Sequence, residues 1–152
     1  MQNDRFDTYV KWAYRVALAV SIFTGIGNMP MWGRFFVADI PGFGWSGNFF
    51  INLYVHYLSG ALLLAISSYC IVVYRQRSDR RAKLSPAGVV RGTVLGLVLV
   101  SGLLSAIKNL AFIDLPLKGL MALIFLHLGV AMAFIFISLV YGLWKKPWMT
   151  AN

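Results

Sequence analysis

Four long apolar runs dominate this chain, from about Val10 to Asn28, Phe49 to Tyr74, Pro86 to Ile107 and Gly119 to Trp144. Each is close to the ~20 residues a helix needs to cross the hydrocarbon core of a bilayer. Lipid offers no partner to backbone amides and carbonyls, so such a run must satisfy them within itself, and the alternation of a membrane barrel strand is absent. An all-α fold follows, an integral membrane four-helix bundle. The polar stretches between the runs are too short for a soluble domain, so residues 1–152 read as a single membrane domain. Composition agrees: 59% of the residues are hydrophobic and 12% charged, against roughly a quarter charged in an ordinary soluble domain.

The formal charge of +9 would suggest nucleic-acid binding in a soluble protein, but here lysines and arginines gather at the ends of the apolar runs. They read as topology signals. Arg34, Lys108 and Lys118 fall on one side of the membrane and the remaining eleven of the 14 basic residues on the other, which puts both termini in the cytoplasm. The first run resembles a signal peptide in its basic lead and its closing Gly25 and Gly27, yet it is long for a signal core, and we read it as a retained span. The stretch Arg75 to Lys83 carries five basic residues against one acid and acts as a stop-transfer signal, with contact to anionic lipid as a secondary consequence. Between Met29 and Asn48, on the outer side, Trp32, Phe35, Phe36, Phe43 and Trp45 are interleaved with the helix breakers Pro30, Pro41, Gly42 and Gly44. This loop is expected to lie along the headgroups as an interfacial anchor or a lid. No internal repeat or low-complexity tract is read.

The chain has two histidines, His56 and His127. Counted from the outer ends of helices two and four, both lie roughly 10 to 12 Å below the surface at 1.5 Å per residue. The two helices run the same way, so one flat ligand could be held between the two rings. An ionisable group at that depth marks a functional site by default. The alternative is that each imidazole hydrogen-bonds a neighbouring helix and binds nothing. Asp39 and Asp114 belong to loops, Cys70 is about four turns from His56, and a lone cysteine excludes a disulfide framework or a C-x-x-C-H haem attachment. Two imidazoles alone make a poor zinc or copper site. An iron porphyrin already supplies four nitrogens and needs two axial ligands, so the donor count fits one haem b. Space for a macrocycle could come from Gly60, one turn beyond His56, and from Gly25 and Gly102 on helices one and three, although small residues also serve ordinary membrane helix packing.

FTGIGNMP closing helix one, VHYLSGALLL in helix two, SGLL in helix three and FLHLGVAMAF in helix four together resemble the four-helix cytochrome b subunits of formate dehydrogenases and nickel–iron hydrogenases. The resemblance spans most of the chain. Family members commonly carry two haems, but near the cytoplasmic face this chain offers Lys11, Tyr14, Arg15 and Tyr141, so the resemblance carries over only the outer haem, onto His56 and His127. It implies a membrane anchor in a bacterial or archaeal cytoplasmic membrane, part of a hetero-oligomer. Such an anchor exchanges electrons between menaquinone or ubiquinone and a periplasmic iron–sulfur subunit or c-type cytochrome.

Asn52, Lys108 and Lys118, with Asp114, are candidate contacts to a quinone or to haem propionates, and snorkelling is the other reading of the lysines. The chain has no room for a catalytic domain, so any enzyme active site belongs to a partner. A haem-free structural subunit or small transporter is the second function class. Transporters more often show intramembrane acids or broken helices, and the four apolar runs hold no acid.

Overall fold

The computed structural model describes residues 2–29, 37–76, 82–108 and 116–151. Four long helices carry most of the chain: α1 (Gln2–Gly27), α2 (Phe49–Gln76), α3 (Pro86–Ile107) and α4 (Leu117–Leu143). A 3-10 turn spans Gly44–Gly47, and two short strands, β1 (Ala82–Leu84) and β2 (Met149–Ala151), pair antiparallel with Lys83 opposite Thr150. The helix bounds match the apolar runs within a few residues, except that α1 begins at Gln2. Arg34, Arg77, Arg80, Arg81, Asp114, Trp32, Phe35, Phe36 and Pro30 lie outside the described residues.

Three helices, α2, α3 and α4, are long and apolar enough to cross a membrane, with mean hydropathies of 1.8, 1.9 and 2.6. Four were expected. The first helix falls short because Lys11 and Arg15 stand in its middle turns, and its uncharged stretch beyond them runs only from Val16 to Gly27.

The chain divides into two compact units, Met1–Arg75 and Gln76–Asn152. In the first, α1 and α2 run antiparallel and are cross-linked by polar side chains at successive turns. Ser21 Oγ donates to Ser59 Oγ at 2.8 Å, Thr24 Oγ1 meets His56 Nδ1 at 3.0 Å, and Asn52 Nδ2 donates to Asn28 Oδ1 at 2.9 Å. As α1 advances, its partners step back along α2 by about one turn each time. Asn48 starts α2 by accepting from the amides of Phe50 and Ile51 with its side-chain oxygen, satisfying two of the orphan N–H groups of a helix start. Part of the preceding loop packs back on α1: the rings of Phe43 and Trp45 lie 5.6 and 6.0 Å from that of Phe23.

In the second unit α3 packs along α4. Ser85 caps α3 by accepting from the amide of Gly88 at 2.9 Å, with Pro86 at the first helical position, where its missing N–H costs nothing. At the end of α4, Lys145 takes a left-handed conformation (φ 51°). The amide of Lys146 donates to Tyr141 and that of Lys145 to Gly142, a Schellman closure built without glycine. The turn sends Pro147 to Ala151 back across the start of α3. There Ser85 donates its hydroxyl to the Pro147 carbonyl and its amide to the Trp148 carbonyl, and β2 pairs with β1. Arg91 fastens this tail. It is 6% exposed, donates to the Lys146 carbonyl, and lays its guanidinium 4.7 Å from the Trp148 ring and 5.4 Å from that of Tyr141.

Candidate functional site

His56 is half-buried on α2, and its surroundings come from one turn of α1. Thr24 is fully buried and brings its hydroxyl oxygen 3.0 Å from His56 Nδ1; the same oxygen lies 2.7 Å from the carbonyl of Val20, one turn back. The next residue, Gly25, lets the helices close on the ring: a Cβ there would stand 3.1 Å from His56 Cε1. That is tighter than side chains ordinarily approach, so the absent methyl is what admits the imidazole edge. Asn52, one turn before His56, holds α1 from below by donating to the Thr24 carbonyl at 3.0 Å, and Ser59 donates to the carbonyl of His56.

The second unit repeats this arrangement with other residues. His127 on α4 has Ser101 of α3 at 3.0 Å from Nδ1, and the Ser101 hydroxyl donates to the Val98 carbonyl at 3.1 Å. A Cβ on Gly102 would come 3.0 Å from His127 Cε1. In each unit, then, a hydroxyl residue followed by glycine on the first helix seats a histidine on the second.

No protein-family model, curated protein or solved structure matches this chain.

Among the sequence candidates, Gly25 and Gly102 each touch a histidine. Gly60 does not: a Cβ there would meet nothing within 4 Å. Asn52 was a candidate contact to quinone or propionate, but it is fully buried and spends its amide within the hairpin, on Thr24 and Asn28, while its carbonyl oxygen is buried with no hydrogen-bond partner among the described residues. Gly27 makes room for it, since a Cβ there would stand 3.0 Å from Asn52 Nδ2. Lys108 is half-buried at the C-terminal cap of α3, and Lys118 is exposed in the first turn of α4. Thr24 and Ser101 were missed by sequence reasoning, although their signal is present as the Thr24-Gly25 and Ser101-Gly102 dipeptides inside FTGIG and SGLL.

The donor chemistry of the two seats can be tested against a haem. Among the described residues no three His, Cys, Asp or Glu side chains gather. An axial haem ligand needs a neutral imidazole with one nitrogen engaged by its surroundings and the other presented to iron. Both histidines have Nδ1 at hydrogen-bonding distance from a hydroxyl, which fits the first of these requirements.

Proposed function

We propose that this chain is a haem b-containing membrane anchor of a respiratory complex, with His56 and His127 as the residues that would hold the haem iron. The observation that carries this reading is the doubled seat: a histidine held at Nδ1 by a hydroxyl and closed against glycine, once in each helical unit. A bound haem would supply one-electron transfer at a potential tuned by its ligands and their hydrogen bonds. The chain's own part is to orient the imidazoles, keep water from them with apolar helix faces, and hold their ring protons away from the metal.

The wider assignment is a multi-pass four-helix bundle with both termini in the cytoplasm, set in a bacterial or archaeal inner membrane. It rests on the basic-residue asymmetry and on three helices long and apolar enough to cross. α1 would be the fourth span, its basic residues at the cytoplasmic edge. The electron route, between menaquinone or ubiquinone and a periplasmic iron–sulfur subunit or c-type cytochrome, comes from the resemblance to formate dehydrogenase and hydrogenase cytochromes b. Lys108 and Lys118 remain available for propionates or quinone, while Asn52 is better read as a structural cross-link.

A second reading, a haem-free structural subunit or small transporter, draws on the same hydrogen bonds, which would satisfy a polar ring in lipid unaided. A reduced-minus-oxidised spectrum and a haem extraction on the purified chain separate the two. The proposal expects b-type bands and one haem per chain; a featureless spectrum leaves the haem-free reading.

A further inference from the structure

A hydroxyl has one proton to give. For Thr24 its destination is marked by distance, because two oxygens come to 2.7 Å only with a proton between them, and the Val20 carbonyl has none to offer. The Thr24 proton therefore lies on the path to Val20. What faces His56 Nδ1 at 3.0 Å is the lone pair of the oxygen, and the contact is a hydrogen bond only if Nδ1 carries the hydrogen. At Ser101 the oxygen lies 3.1 Å from the Val98 carbonyl, which can only accept, and 3.0 Å from His127 Nδ1, so a hydroxyl that donates to Val98 likewise turns a lone pair to the ring. Two different hydroxyl residues, in two separately packed helix pairs, relay a backbone carbonyl to the same ring nitrogen.

We infer that Thr24 and Ser101 are positioning residues that hold His56 and His127 as their Nδ1–H tautomers and so place the lone pair of each imidazole on Nε2, the nitrogen offered to iron. A backbone carbonyl, acting through the hydroxyl, makes each ring a stronger donor at Nε2, as carbonyl and carboxylate partners do for other metal-bound histidines. Gly25 and Gly102 belong to the device, since a Cβ at either position would stand 3.1 or 3.0 Å from the ring's Cε1 and press on the edge beside its hydroxyl. The tautomer is a property of the protein alone. Its consequence for ligation rests on the haem reading above.

Ring-15N histidine labelling of the full-length chain in detergent, before haem is added, reads the tautomer directly. With two histidines in the chain, His56→Asn or His127→Asn leaves a single ring to observe. The expected result is a protonated Nδ1 and an unprotonated Nε2 in both rings, with Thr24→Val converting His56, and Ser101→Ala converting His127, to a tautomer mixture. On adding haem, each variant should bind it about 10- to 100-fold more weakly, the usual effect of losing a partner that orients a metal ligand. The bound haem's reduction potential should move upward, and Thr24→Ser should restore the parent values. Nε2–H rings in the parent chain, or variants that leave both tautomer and haem affinity unchanged, overturn the inference. Absence of b-type bands on haem addition would instead overturn the haem reading, and the nitrogen shifts would still decide the tautomer.

Discussion

Asn52 and Thr24 grip each other across the first helical hairpin: the Asn52 amide donates to the Thr24 carbonyl at 3.0 Å, one turn below the contact between the Thr24 hydroxyl and His56. Both residues are fully buried, and the same amide also donates to Asn28. Truncating Asn52 to Ala leaves Asn28 Oδ1 without its donor inside the hairpin and should cost about 1–3 kcal/mol. Unfolding titration in mixed micelles measures the loss. Haem retention should fall with it, although the variant removes no ligand.

His56→Ala and His127→Ala should each abolish low-spin haem while the helices still insert, because six-coordinate iron needs both axial imidazoles. Haem content per inserted chain checks this. Full low-spin haem in either variant would contradict the ligand assignment.

At Gly25 and Gly102 an added Cβ would press on an imidazole, so alanine there should lose haem and destabilise its unit by about 1–3 kcal/mol, the ordinary cost of overpacking. Gly60 should behave differently. A methyl at that position meets open space and removes a flexible residue from mid-helix, so Gly60→Ala should leave stability unchanged or raise it by up to ~1 kcal/mol. Thermal melts of the three variants side by side measure the contrast.

Gly88 has no room at all, since a Cβ there would overlap the carbonyl of Trp148. Gly88→Ala should therefore lift the tail off α3, breaking the β1–β2 pairing and opening the segment from Pro147 onward to protease. Time-resolved proteolysis of vesicle-bound protein reports it.

Arg91→Lys should fail to restore what Arg91→Ala loses. A lysine keeps the charge but cannot lay a planar guanidinium against Trp148 and Tyr141 while donating to the Lys146 carbonyl. A charge-assisted hydrogen bond to that carbonyl accounts for roughly 1.5–3 kcal/mol of the second unit's stability, and comparing the two variants by chemical denaturation tests whether stacking adds to it.

The helices were legible because their causes are local. Apolar length and the loop glycines and prolines act within a turn or two of the positions they control, as do the caps Asn48 and Ser85, which only the structure revealed. The histidines stood out for an equally local reason, being rare ionisable groups within apolar runs. At α1 the apolar run marked the end of the helix but not its start, since the helix begins at Gln2, eight residues before Val10, and carries Lys11 and Arg15 within it.

What surrounds each histidine was decided only by packing. Thr24 is 32 positions from His56, Ser101 is 26 from His127, and Arg91 is 55 from the carbonyl it holds. In sequence these hydroxyls are ordinary helix residues and Arg91 one more basic residue near a membrane edge. Their roles arise from which turn of one helix meets which turn of another, and that register depends on side-chain volumes and on glycines placed opposite bulky partners. Hydrophobic length settles how many helices form; only the meeting of their surfaces settles which nitrogen of an imidazole keeps its proton.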